Sequence, residues 1–290
     1  MALPALWRPR PFKVVYDERR PRPAQAGELE QERGGRMASH DSHSAVEQGV
    51  AGIPVLARPG VMERRGPAVV VLHGMSTTPE MMQAGWPDGE AADGFERVYW
   101  RLPVLREGGE ALRRRRDDDL FLALFSPVWS EVRAELGKLL DALGDRPLGL
   151  FGFSIGGFLA LWGALDHPQV RAAVSVGGVP NFDYLTTYYP DYAWDRESVA
   201  ALRAASDLLT RVGDLARTPT LILHGLPDDV ARWEWMRPLA EALAAQSQER
   251  HPHQVLPDLR HRLAPQSPEE ARDVAEVRRA ANAWFQRWLH

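Results

Sequence analysis

Pro147-Leu148-Gly149-Leu150-Phe151-Gly152-Phe153-Ser154-Ile155-Gly156-Gly157 is the stretch that decides how the rest of the chain is read. Its first seven residues form an apolar run of strand length, and the run leads straight into a serine set between glycines. From Gly156 to His167 the apolar spacing becomes helical. A strand, a tight turn and a helix thus succeed one another around Ser154. Outward from this point the same alternation recurs. Before it, Ala45 to Val50 and Ile53 to Arg58 read as two short strands. Pro67-Ala68-Val69-Val70-Val71-Leu72-His73 is a continuous β-branched run of the kind buried on both faces of a parallel sheet. Phe95 to Leu102 reads as a strand and Asp117 to Leu143 as a long helix. After it come a strand over Val170 to Val176, another over Thr220 to His224, a helix over Trp233 to Gln246, a short strand over Gln254 to Leu256 and a closing helix over Pro268 to Leu289. The pattern predicts an α/β fold, a mostly parallel central sheet with helices on both faces.

Composition narrows the function classes. The chain has 290 residues, 44% apolar and 26% charged, enough for one large α/β domain. A net charge of −4 provides no general attraction to nucleic acid or to anionic membranes. There is no cysteine, which removes disulfides, thiolate metal sites and a cysteine nucleophile, and fits a cytoplasmic protein. No apolar run approaches the roughly 18 to 20 residues that span a bilayer. Residues 1 to 36 are rich in Pro, Arg, Glu, Gln and Gly, and read as a disordered N-terminal extension to a domain over 37 to 290. Gly34-Gly35-Arg36, whose codons can be purine-rich like a ribosome-binding site, precedes Met37, so Met1 and Met37 are both candidate starts.

A serine hydroxyl attacks a carbonyl only when a base removes its proton and a rigid turn aims it. Gly152-Phe153-Ser154-Ile155-Gly156 provides such a turn. Glycine at both ends keeps the elbow clear of Cβ clashes, while the serine takes a strained conformation. The helix after the elbow directs its N-terminal N–H groups toward developing negative charge.

With these features the chain resembles the α/β-hydrolase superfamily, within it the prolyl-oligopeptidase-like and dienelactone-hydrolase-like serine esterases. Four stretches carry the resemblance, in the expected order: Val70-Val71-Leu72-His73-Gly74-Met75, the elbow, Thr220-Leu221-Ile222-Leu223-His224-Gly225-Leu226-Pro227-Asp228, and Val255-Leu256-Pro257-Asp258-Leu259-Arg260-His261. The resemblance implies Ser154 as nucleophile, Asp228 as triad acid with its neighbour Asp229 as the alternative, and His261 as base. It also implies an oxyanion hole from the backbone N–H groups of Met75 and Ile155. His73 is expected to be structural, and His251 and His253 to lie at the wrong end of the sheet. Tyr99-Trp100-Arg101-Leu102-Pro103 departs from the family, which often carries an Asp there.

Residues 177 to 218 interrupt the alternation with dense aromatics, from Phe182 through Tyr184, Tyr188, Tyr189 and Tyr192 to Trp194. They read either as a surface excursion packing its own rings or as a short cap over the substrate pocket. That pocket is expected from residues 76 to 110 and 177 to 218. Arg113 to Arg116 could bind an acidic partner, but the run reads first as a solvated loop beside Asp117 to Asp119 at a helix N-terminus. His40/His43 and His251/His253 lack a third ligand at useful spacing, so no metal is expected, and no phosphate-cradling loop points to a nucleotide cofactor. Trp233 and Trp235 are candidates for a substrate channel, whereas Trp284, Phe285 and Trp288 read as one core-facing helix side. The expected activity is hydrolysis of a small carboxylic ester, with thioester or amide within reach of the same groups. The competing expectations are a prolyl-oligopeptidase-type peptidase and a non-catalytic binding protein.

Overall fold

The computed structural model of the protein describes residues 45–86 and 94–290. The expected extension over 1 to 36, Met37 and the His40/His43 pair lie outside the described residues. Eight strands form one sheet: β1 (Val46–Val50), β2 (Ile53–Ala57), β3 (Ala68–Leu72), β4 (Glu96–Trp100), β5 (Leu148–Phe153), β6 (Val170–Val176), β7 (Thr220–Gly225) and β8 (His253–Leu256). Their order is β1-β2-β4-β3-β5-β6-β7-β8. The β1/β2 and β2/β4 pairs are antiparallel and the rest parallel.

The two-residue period of a strand explains the two cores. Ala68, Val70 and Leu72 of β3 face one layer, formed by α3 (Ser126–Leu143), α4 (Ile155–Asp166) and α8 (Trp233–Gln246). Val69 and Val71 face the other, formed by α1 (Pro79–Gly85) and α9 (Pro268–Leu289). Trp284 and Phe285 of α9 are buried there as expected, with Trp288 partly buried against them. Arg97 is also buried on that face, its guanidinium 4.3 Å from the Trp86 ring and hydrogen-bonded to Asn282 of α9.

The structure corrects the stretch before α3. The expected single helix from Asp117 is three pieces. Arg113 to Arg116 are not loop but lie in α2 (Gly109–Asp118), where Arg115 binds Glu107 and Arg114 binds Glu110. Asp119 turns extended and accepts the N–H groups of Phe121 and Leu122, so it alone of the three aspartates caps the next turn. That turn is π-helical, Leu120–Phe125, and in it the Ser126 N–H reaches back to Phe121 O. Pro127, with no N–H to give and a ring that crowds the preceding turn, leads from it into α3. Two helices also lie outside the sequence expectations. α1 has a legible start, Thr78 capping Met81 N–H with Pro79 in the first turn. α2 has no side-chain cap and little apolar periodicity to announce it.

Residues 177–218 hold α5 (Leu185–Tyr188), α6 (Glu197–Ala205), a 3-10 turn (Leu208–Arg211) and α7 (Val212–Leu215). They leave from the carboxyl end of β6 and return to β7, so the aromatic segment lies over the edge where β5 delivers Ser154.

β7 ends in Gly225, where a Cβ would stand 1.7 Å from Leu259 O. Only glycine lets the loop after β8 pass this close. Gly225→Ala is expected to destabilise the fold by about 2 kcal/mol or more, measured by urea unfolding, as overpacking against rigid backbone does.

Candidate active site

Ser154 stands between β5 and α4 with φ +59° and ψ −125°, a region few residues other than glycine occupy. Such strain costs on the order of 1–3 kcal/mol and persists only where the surroundings over-determine it. Here its N–H donates to Val176 O at 2.9 Å, and its own carbonyl accepts from Gly157 N–H at 2.9 Å. A Cβ on Gly152 would meet Gly156 O at 1.9 Å, and one on Gly156 would meet Leu72 O at 2.2 Å. Both glycines of the elbow are therefore demanded by contact.

His261 lies in the loop between β8 and α9. Its Nε2 is 2.8 Å from Ser154 Oγ and its Nδ1 is 2.7 Å from Asp228 Oδ2. A carboxylate can only accept, so Nδ1 carries the proton and Nε2 is left to accept from the serine hydroxyl. Asp228 Oδ1 takes the N–H groups of Val230 and Ala231 at 3.0 and 2.9 Å, so both of its oxygens are engaged. Asp228 is buried, while Asp229 is exposed and its backbone carbonyl accepts from the Tyr188 hydroxyl. The structure thus brings Asp228, not Asp229, to His261.

The surrounding loops are fastened independently. His224 Nε2 donates to Ala231 O at 2.6 Å, and burial lowers the pKa of that ring. Arg262 grips Glu270 at the start of α9 through two bonds of 3.0 and 2.9 Å, and Asp258 N–H donates to Asp273. These hold the segment that presents His261.

Ile155 opens α4, so its N–H is among those a helix leaves without an internal acceptor. Met75 comes directly after Gly74, at which a Cβ would stand 3.0 Å from Ser154 Cβ. Both Met75 and Ile155 line the cleft beside the serine. His73 is buried behind them. Leu102 N–H donates to its Nε2, so Nδ1 donates to Gly74 O at 2.9 Å and pins the turn that carries Met75. His251, bound to Thr220 and Ala216 O, and His253, tilted against Trp233, stand at the opposite end of the sheet.

The cleft beside the serine is lined mainly by apolar and aromatic side chains. Leu124 and Phe125 of the π-helical turn form one wall, Val179, Tyr184, Leu185, Tyr188 and Tyr189 a second, and Val230 with Ala231 a third. Among the described residues, none of 76 to 110 lines the cleft, where a contribution was expected. Leu124 and Phe125 of the π-helical turn line it instead. Trp235 does not reach the cleft but packs behind it on Tyr184 and Tyr188. Arg116 at the mouth is a lining residue that sequence reasoning misses. Its one signal is its neighbourhood, a basic run next to an apolar one.

Comparisons with known proteins place this geometry in context. Residues 127–219 match the model of a family described as the alpha/beta hydrolase fold. The chain is 29% identical over 193 residues to 2,6-dihydropseudooxynicotine hydrolase of Paenarthrobacter nicotinovorans, covering 62% of this chain and 50% of that protein. It is 27% identical over 239 residues to Esterase YjfP of Escherichia coli, covering 77% and 94%. A 94-residue stretch is 38% identical to Dipeptidyl peptidase family member 1 of Caenorhabditis elegans, 31% of this chain but 11% of that protein. The chain thus spans half the length of the first of these relatives and about a tenth of the last. Among solved structures, TT1662 from Thermus thermophilus superposes with a TM-score of 0.65 at 23% identity, over 85% of this chain and 98% of that one.

His73 makes a testable contribution to acid sensitivity. Burial, offset in part by its bond to Gly74 O, lowers its pKa from 6.5 to about 4. Between those values the unfolded chain binds a proton that the folded chain refuses, so stability falls as pH drops from 6.5 toward 4 and rises as it returns. The loss attributable to this ring approaches about 3 kcal/mol near pH 4. Urea unfolding between pH 4 and 7 is expected to show a shallower acid decline in His73→Gln than in the parent.

Proposed function

We propose that this member of the α/β-hydrolase superfamily is a serine hydrolase that cleaves a carboxylic ester through an acyl-enzyme. The observation that carries the reading is the hydrogen-bonded line Ser154 Oγ, His261 Nε2, His261 Nδ1, Asp228 Oδ2, with steps of 2.8 and 2.7 Å, at the foot of an apolar cleft.

In this reading His261 Nε2 takes the Ser154 proton as Oγ bonds to the ester carbonyl carbon. The carbonyl oxygen becomes an oxyanion facing the N–H groups of Met75 and Ile155. Two such donors are worth several kcal/mol in the transition state. The imidazolium gains support from Asp228, whose remaining oxygen is already satisfied by Val230 and Ala231. It then protonates the departing alkoxide, leaving an acyl group on Ser154. Water, deprotonated by His261, repeats the sequence and frees the acid. A thioester or amide carbonyl passes through the same intermediates.

Esterase YjfP supports the ester reading by name, and this chain matches it over most of both lengths. The likeness to a dipeptidyl peptidase, over 94 residues, supports a second reading as a peptidase. Hydrolysis of short peptide p-nitroanilides at rates matching those for p-nitrophenyl esters would favour it. The dense aromatics of 177–218, three of which line the cleft with Val179 and Leu185, support their role as a cap, and the cysteine-free composition suits work in the cytoplasm.

Ser154→Ala is expected to lower kcat on p-nitrophenyl butyrate about 10⁴-fold or more and to abolish labelling by a fluorophosphonate probe, and Asp228→Asn to lower kcat about 10³- to 10⁴-fold. Undiminished turnover by Ser154→Ala would overturn the reading, and failure of the parent to label would favour a binding protein.

A further inference from the structure

Among the described residues that line the cleft, Arg116 alone carries a charge. It sits in the last turn of α2, and its guanidinium bonds to Asp117 at 2.9 and 2.7 Å. That partner is the next residue along the chain and its side chain is 65% exposed, so the pair is a solvated contact of small strength. The guanidinium retains donors for a further acceptor.

Arg116 also lines a second, more open cavity that adjoins the first. The two share Arg116, Tyr188 and Tyr189. These three form the neck between the two cavities. The Tyr188 hydroxyl is committed to the carbonyls of Asp229 and Val230. The Tyr189 hydroxyl donates to no partner among the described residues, and Arg116 is the charge it feels: burial raises its pKa and Arg116 draws it back. A cation and an unengaged hydroxyl donor therefore meet at the rim of an otherwise apolar cleft. When a substrate fills the cleft and displaces water, the guanidinium donors that Asp117 does not take lose their solvent partners.

We propose that Arg116, with the Tyr189 hydroxyl, is an anion-recognition point, and that the substrate is an ester bearing a negatively charged group remote from its scissile carbonyl. This rests on the serine-hydrolase reading and narrows it. Asp191 lines the outer cavity beyond the neck, so the anion seats at the neck itself and not further out.

The test compares esters that differ only in charge, each rate divided by its spontaneous hydrolysis. One pair carries the charge on the acyl side: mono-p-nitrophenyl adipate against its methyl-capped diester. The other carries it on the alcohol side: 4-acetoxybenzoate against its methyl ester. The parent is expected to favour the anionic member of one pair by about tenfold in kcat/KM, equivalent to ~1.4 kcal/mol, mainly through KM. Which pair responds assigns the side. In Arg116→Gln that ratio is expected to fall toward one, with Arg116→Lys retaining part of it, and about 0.5 M salt is expected to shrink it in the parent. A parent ratio of one or less in both pairs, or a ratio that survives in Arg116→Gln, overturns the proposal. If Ser154→Ala hydrolyses both pairs like the parent, it is the serine-hydrolase reading that fails instead.

Discussion

The carbonyl oxygen of Gly156 occupies the space where a Cβ on Gly152 would be, and Leu72 O occupies the space beside Gly156 in the same way. This contact between backbones holds α4 against the ends of β3 and β5. Everything at the carboxyl edge of the sheet is built from it. It forces Ser154 into positive φ, which turns Oγ out of the sheet and toward His261. It brings the first turn of α4 under the same spot, so the Ile155 N–H arrives with the serine. It also sets the distance to Gly74, and through it the position of Met75. A side chain at either glycine would separate elements whose relation the whole site assumes, because backbone cannot yield as a rotamer can.

A second backbone contact, Gly225 against Leu259 O, does for His261 what the elbow does for Ser154. It draws the loop after β8 across the end of β7, so His261 and Asp228, 33 residues apart in sequence, face each other. The Arg262–Glu270 pair and the Asp258–Asp273 bond then hold the loop to α9. The site is thus a meeting of loop ends located by rigid strands, and its precision comes from where the strands stop.

Much of this was legible in the chain. The β-branched run of β3 and the strand-turn-helix around Ser154 announce themselves through local pattern, and Ser154, Asp228 and His261 each come after a strand that pattern alone can place. The preference for Asp228 over Asp229 came from the resemblance and not from local pattern, because it depends on which carboxyl the turn after Gly225 buries. Nor was the break at Asp119. Leu120 to Phe125 is uniformly apolar, and such a run carries no mark of whether its hydrogen bonds close over four residues or five. The register shift arises from Pro127 acting on the turn before it together with a capping aspartate, a cooperation of two positions that a periodicity search treats as one helix. The wall formed by Leu124 and Phe125 was missed for that reason, whereas residues 177–218 line the cleft as expected.

Asp119 does more than cap. Its carboxylate also takes the Tyr192 hydroxyl and the Arg196 guanidinium, and Trp194 meets the edge of Phe121 at 5.8 Å. With the Tyr188 bonds to the carbonyls of Asp229 and Val230, the segment after β6 is held by polar fastenings on opposite flanks of the cleft. It departs from one strand and returns to the neighbouring one, so its length and composition leave the strand register unaffected. In modular terms it is an exchangeable roof on a fixed frame. Any replacement has two obligations, a hydroxyl toward the Asp229 carbonyl and a donor toward Asp119, and is otherwise at liberty to redraw the shape of the chamber beneath.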